Sequence, residues 1–209
     1  MPKFEDGSYS STTGRALIAK VLAGRCQMHY TRAAVGRGAI PEGMTPQTMT
    51  EPAGCVMDAK ISAIGNPVDG ECQVSVQINS SDVAEGFFAT GVMLYAEDPD
   101  EGEVPYTYLV LENEPERIRP ASAAVGKLAT FDLIAAVDQI DRVTAAIDPD
   151  AFVTEGNVRS LVAVMLDKEM EKFVAAVMQG EVTANLATNT GETITTQDGT
   201  AIVAVKKKI

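Results

Sequence analysis

From residue 55 to residue 79 the chain alternates with a period of two. In GCVMDAKISAIG, Cys55, Met57, Ala59, Ile61 and Ala63 fall on one side and Asp58, Lys60 and Ser62 on the other. In ECQVSVQINS, Cys72, Val74, Val76 and Ile78 oppose Glu71, Gln73, Ser75, Gln77 and Asn79. Alternation of this kind predicts antiparallel strands with one wet face. The run Gly65-Asn66-Pro67-Val68-Asp69-Gly70 between them predicts a turn. Residues 87–96 and 105–112 predict two more strands, more apolar and so more deeply buried. Residues 128–136 and 142–148 predict a further pair, connected by Asp138-Gln139-Ile140-Asp141.

Two stretches carry a helical period instead. In TTGRALIAKVLAG, residues 12–24, Leu17 and Val21, like Ile18 and Leu22, stand four apart. Ser11, Thr12 or Thr13 can cap the start and Gly24 can end it. A strand beginning in CQMHYTRAAVG follows, and then GRGAIPEGMTPQTM, whose three glycines and two prolines predict a loop. The second helical stretch is 154–178. Val158, Val162, Leu166, Met170, Phe173 and Val177 form its apolar stripe, widened by Leu161 and Met165, with Thr154 to start it and Gly180 to end it. At 1.5 Å per residue such a helix is a rod of roughly 38 Å. After it come short β-like pieces, VTANLA, TGETITT and TAIVAV, with Asp198-Gly199 as a hairpin signal.

These patterns predict an α+β chain. Residues 1–152 form an N-terminal helix plus a mainly antiparallel β domain, 153–180 a long amphipathic oligomerisation helix, and 181–209 a small β-rich segment. A segment of 29 residues cannot build its own core, so it leans on the main domain, on a sister copy or on a partner. The stripe can pack on its own β domain or against copies of itself. Its spacings are mostly four with one three, so it is not a strict heptad. Its place between the β domain and a segment needing support favours oligomerisation through Val158, Val162, Leu166, Met170, Phe173 and Val177.

Charge narrows the function. The formal net charge is −12, and an acidic chain gains nothing from releasing phosphate counterions, so nucleic acid is not an expected partner. The one basic run, Lys206-Lys207-Lys208, reads as a solvated tail. No run approaches the ~18–20 apolar residues that span a bilayer, so membrane insertion is not expected. The opening residues MPKFEDGSYSSTTG do not suit a secretion signal, and the scattered Cys26, Cys55 and Cys72 fit a reducing compartment.

The candidate chemistry is thin. Glu97, Asp98, Asp100, Glu101 and Glu103 crowd into seven positions and offer the atoms for a calcium site or a carboxylate cluster. Gly102 comes too early for an EF-hand loop and no twelfth-position glutamate follows, while Pro99 and Gly102 suit a hairpin turn with its carboxylates in water. His29 is the one histidine and sits in strand alternation, so a structural or surface role is expected over a Ser–His–acid or Cys–His arrangement. No zinc-type cluster stands out. Gly36-Arg37-Gly38 lacks the strand–helix context and lysine of a phosphate-binding loop. The expectation is a protein that is not an enzyme and needs no cofactor or metal.

Residues 1–155 resemble the N-terminal domain of the phage tail-collar fibre family, the baseplate-proximal ends of contractile-tail fibres and of related tail-like bacteriocins. The resemblance is carried by Thr13-Gly14, by Ala16 and Leu17 on a helix, by Gly24, and by a strand reaching Thr31. It continues in Ala34-Val35-Gly36 with a glycine loop to Pro41, in Gly86-Phe87-Phe88 running to Leu94-Tyr95 before an acidic turn, and in Val143-Thr144 closing at Ile147-Asp148. The chain departs from the family pattern at Arg37, where an acid is usual, and at Gly91 and Met93 before Leu94-Tyr95.

The resemblance implies a structural part that docks to baseplate proteins and trimerises, assembled in the bacterial cytoplasm and carried at the baseplate of a virion or tail-like particle. Many family members run on into long shafts, whereas this sequence ends about 30 residues past the expected helix. That favours an adaptor handing over to a separate distal fibre or receptor-binding protein. The alternative is a short protein that binds a cell-surface glycan itself. Residues 181–209 carry no aromatic platform for one.

Overall fold

A computed structural model describes residues 4–140 and 142–151, and beyond them residues 172, 194–195 and 201–202. The chain divides into two compact units, Met1–Leu161 and Val162–Ile209. The first holds β1 (Gly7–Ser10), α1 (Thr12–Leu22), β2 (Met28–Gly36), β3 (Cys55–Ile64), β4 (Glu71–Asn79), a single 3-10 turn (Ser80–Asp82), β5 (Phe87–Ala89), β6 (Gly91–Asp98), β7 (Gly102–Val110), β8 (Glu116–Ile118), β9 (Leu128–Ala136) and β10 (Val143–Ala145). In the second, β11 (Ile194–Thr195) pairs antiparallel with β12 (Ala201–Ile202), with 195 opposite 201.

The α+β expectation is corrected by this architecture, which is mainly β. Among the described residues of the first unit there is one α-helix, of 11 residues, against a nearly closed eight-stranded sheet. Helical spacing reports which residues share a face, not how much of a fold they make up. The two-residue alternation of β4 and β9, together with the apolar runs of β6 and β7, decides the class. The expected long helix over 154–178, with its stripe Val158, Val162, Leu166, Met170, Phe173 and Val177, lies outside the described residues apart from Lys172, which is helical. Among the described residues no helix is long and apolar enough to cross a membrane.

The sheet runs β1-β7-β6-β2-β3-β4-β9, antiparallel throughout this path. It curls until its two end strands meet, and the seam is closed largely by side chains. Lys127 O accepts from Ser80 N–H (2.9 Å) and Val137 N–H donates to Gly70 O (2.8 Å), so odd-numbered residues of β9 bond toward β4. Even-numbered ones therefore look the other way. Ile134 N–H donates to Ser8 Oγ (3.0 Å), and Tyr106 Oη donates to Ala136 O (2.5 Å). The 142–148 run does not pair with 128–136. β10 lies parallel to β2 instead, over Met28–Tyr30, where β3 has already left β2's edge. The chain is steered there because Val137 and Asp138 N–H groups both close on Gly70 O at the end of β9.

The interior is filled by Met28, Tyr30, Val35, Ile61, Val74, Val76, Leu94, Tyr106, Phe131 and Leu133, with Leu17 of α1 entering from one end. A second, smaller core lies on the outer face of β2, β6 and β7. There Ile40, Met49 and Ala53 of the 37–54 loop cover Ala34, Met93, Tyr95, Tyr108 and Val110. Both faces of these strands are thus buried, which is why their apolar runs are nearly continuous.

One irregularity organises the helix. The β6–β7 register steps from Leu94↔Thr107 to Tyr95↔Pro105, leaving Tyr106 as the extra residue of a bulge. Pro105 has no N–H to give the ladder, and its carbonyl is taken up by α1. Ser11 N–H donates to Tyr106 O (2.8 Å), Ser11 Oγ donates to Pro105 O (2.5 Å), and Thr13 Oγ1 donates to the same oxygen (2.7 Å). Ser11 is also the N-cap, accepting from Gly14 N–H (2.8 Å). The helix ends in a Schellman turn, with Gly24 at φ 71°, Gly24 N–H on Val21 O (2.9 Å) and Arg25 N–H on Lys20 O (3.0 Å). Gly14 is required by proximity, because a Cβ there would stand 2.6 Å from Tyr106 O.

Two stability measurements check this packing. Gly14→Ala should destabilise by about 1–3 kcal/mol in urea unfolding, opposite in sign to the ~1 kcal/mol gain at an open helical position. Thr107 Oγ1 is buried with no hydrogen-bond partner, a state that costs about 1–3 kcal/mol. Thr107→Val, which removes the hydroxyl at constant shape, should therefore leave stability unchanged or raise it.

Candidate functional site

The acidic run is the tip of the β6–β7 hairpin, closed by Asp98 opposite Gly102, with Gly102 at φ 79°. Its carboxylates are not all in water. Asp98 is 4% exposed. Its Oδ1 accepts from the N–H groups of Asp100 (2.8 Å) and Glu101 (3.1 Å), and its two oxygens accept from Lys20 Nζ at 2.8 and 2.7 Å. Lys20 lies in the last turn of α1, where a cation also suits the helix dipole. It reaches Asp100 as well (3.1 Å), and Arg25 closes on Asp100 at 2.9 Å.

A second cluster grips the hairpin from the sheet side. Arg32 Nε donates to Glu103 Oε1 (2.6 Å) and Nη1 to Asp58 Oδ1 (3.0 Å), while its guanidinium carbon sits 3.8 Å above the Tyr95 ring. Thr31 Oγ1 donates to the other Glu103 oxygen (2.6 Å). Asp98, Asp100 and Glu103 are therefore spent on cations of the same chain. Among the described residues no three of His, Cys, Asp and Glu are placed to hold a metal ion.

His29 lies beside this tip. Thr144 Oγ1 donates to Met28 O (3.1 Å) and shares a hydrogen bond with His29 Nδ1 (2.9 Å). The histidine thereby fastens β10 to β2. A surface hollow of about 410 Å³ is lined by Cys26, Gln27, His29, Glu97, Pro99 and Thr144. The Cys26 thiol is pushed above its usual pKa, first by burial and then by the Asp98 charge. That is the reverse of an activated nucleophile. Nor do the glycines at 36–38 cradle an anion. Gly38 N–H donates to Ala53 O (2.8 Å) and Arg37 N–H to Gly54 O (3.2 Å), and a Cβ on Gly36 would stand 2.3 Å from Ala53 O.

Lys20, Arg25, Arg32 and Tyr95 are the residues that sequence reasoning missed. The carboxylate partners of the three cations lie 26 to 80 positions away, and no local pattern announces such pairing. A cation in the last turn of a helix, in a chain with one dense acidic run, was the only available signal.

The ion pairs set a pH window. Burial pushes Asp98 up, but the Lys20 ammonium and the two backbone N–H groups outweigh it and hold the carboxyl below its usual value. Asp100 is lowered as well, first by its hydrogen bond from Lys20. Lys20 is raised, first by its bond to Asp98, with burial opposing. Lowered carboxyls stabilise above their unfolded pKa near 3.9 and lose that contribution as pH falls through the folded value. A raised lysine stabilises below about 10.4 and loses it as pH rises further. Asp98→Asn should lower Tm at pH 7 by several degrees, and the difference from the unsubstituted protein should shrink below about pH 4, as read by thermal melts across pH. No family model, no curated protein and no solved structure matches the chain.

Proposed function

We propose that this chain is a structural, non-enzymatic part of a contractile tail or tail-like particle, which joins a fibre or a receptor-binding protein to the baseplate. It works as an assembly of copies, three being the number implied by the tail-collar resemblance, and is put together in the bacterial cytoplasm. The observation that carries this reading is where the resembling residues fall. Thr13 and Gly14 dock α1 on the β7 bulge. Gly24 ends the helix, Gly36 lets the 37–54 loop return, Leu17 and Leu94 fill the interior, and Asp148 N–H closes on Ile61 O (2.9 Å). Short motifs that coincide with the pinning points of one barrel support a shared fold better than motifs scattered over its surface would. The charged groups point the same way, since the clusters at the hairpin tip satisfy one another and, among the described residues, leave no carboxylate–base–nucleophile set there.

Two outcomes follow. The purified chain should run in light scattering as a multiple of 22.1 kDa at micromolar concentration, and a clean monomer would contradict the assembly. Particles from a strain lacking the gene should keep their baseplates and lose their fibres. Particles that retain fibres would contradict the attachment role.

A further inference from the structure

Four of the large apolar side chains left exposed, Val56, Phe88, Val125 and Leu128, sit at one end of the barrel. Bonds tie this end together. Phe88 is the cross-strand partner of Arg117 in the β5–β8 ribbon, Lys127 Nζ donates to Arg117 O (3.3 Å), and Arg119 Nη1 reaches Val125 O (3.4 Å). A pocket of about 260 Å³ lies here, walled by Phe87, Phe88, Ile118 and Pro120, with Arg117 at its edge. The nearby Glu116 and Asp82 are paired with Lys127 and Lys60. Among the described residues Arg117 and Arg119 form no salt bridge. On a chain of net charge −12 Arg117 thus sets an unpaired cation at the mouth of the pocket, with Arg119 two residues on.

The other end of the β3–β4–β9 sheet has the converse character. Val68 and Glu71 exchange both backbone hydrogen bonds (2.9 and 3.0 Å), with Asp69 at φ 51° and Gly70 at φ 81°, a tight two-residue turn of the primed type. Val68 at its base is 66% exposed, the highest value among the large apolar side chains of the described residues; the exposed Asp69 and Glu71 belong to the same turn, and the exposed Asp138 is hydrogen-bonded through its N–H to Gly70 O (3.0 Å). The result is a stiff apolar knob set among carboxylates.

We infer that these two ends are the halves of one contact between copies, in which the Val68 turn of one copy seats in the Phe88 pocket of the next and its carboxylates face Arg117 and Arg119. Two chains of the same large charge repel over most of their surfaces, so a stable contact must bring opposite local charges together. Each end offers what the other lacks, a pocket with cations against a knob with anions. The contact is not self-complementary. It repeats head to tail, closing into a ring where the rotation allows and extending where it does not. This inference rests on the reading that the chain works as an assembly of copies.

Sedimentation velocity of the full chain tests it, with circular dichroism to verify folding. Arg117→Glu with Arg119→Glu, and separately Asp69→Asn with Glu71→Lys, should each weaken self-association by about tenfold or more, and added salt should weaken the unsubstituted protein. Mixing the two double variants should restore association, because each supplies the half the other has lost. Phe88→Ser, at an exposed position, probes the pocket without reversing a charge and should also weaken association. If the unsubstituted chain associates and none of these variants weakens it, the contact lies elsewhere and the inference is overturned while the assembly reading stands. Folded double variants that fail to associate when mixed also overturn it. A monomeric unsubstituted chain removes both.

Discussion

The first turn of α1 rests directly on the backbone of the β7 bulge, and the rest of the barrel is arranged around that contact. Three hydrogen bonds from Ser11 and Thr13 end on the carbonyls of Pro105 and Tyr106, and only a glycine at 14 lets the two backbones come so close. The bulge in turn aims Tyr106 into the interior, where its ring lies 5.2 Å from that of Tyr30 and its hydroxyl crosses the seam to Ala136. A single extra residue in one strand thus places the helix, fills the centre and helps to close the sheet. Bulges commonly re-aim side chains at barrel rims. Here the carbonyls freed by the bulge become the docking site of a helix cap.

Ion pairs extend the same arrangement outward. Lys20 leaves the far end of α1 and closes on Asp98, so the helix is held to the β6–β7 hairpin at both of its ends. Arg32 holds the base of that hairpin to β2 and β3. The acidic tip is a clamp for the fold rather than a reservoir of free carboxylates. Exposed members such as Arg25 with Asp100 contribute little by themselves, whereas Asp98, buried and four-times hydrogen-bonded, is the member whose loss removes both of Lys20's shortest bonds and leaves it only the half-exposed Asp100.

Much of this was legible in the sequence wherever one face is wet. The alternation in 71–79 and 128–136 marks β4 and β9 to within a residue, and the Ser11–Gly24 signals bracket α1. Where both faces are buried the period vanishes. The 87–96 run breaks at Thr90 into β5 and β6, which belong to different sheets, and Phe88 is 55% exposed in the side ribbon rather than central. Short strands such as β1 and β8 carry too few residues to show a period. The 37–54 loop, marked by its glycines and prolines, nevertheless supplies a second core through Ile40, Met49 and Ala53. Long-range partners, Lys20 for Asp98 and β2 for β10, have no local signature at all. The α+β expectation overweighted one helical stripe against many short strands.

With the charges of the hairpin tip satisfied from within, and with the Phe88 pocket and the exposed Val68 turn at opposite ends of the barrel, the proposed role is to hold neighbouring copies. Electron cryomicroscopy of intact particles containing this chain is the most direct measurement of that claim. Copies of the barrel are expected in a closed ring where the fibre meets the baseplate, with the Val68 turn of each copy in the Phe88 pocket of its neighbour. Particles whose fibre–baseplate junction is built without this chain would contradict the account.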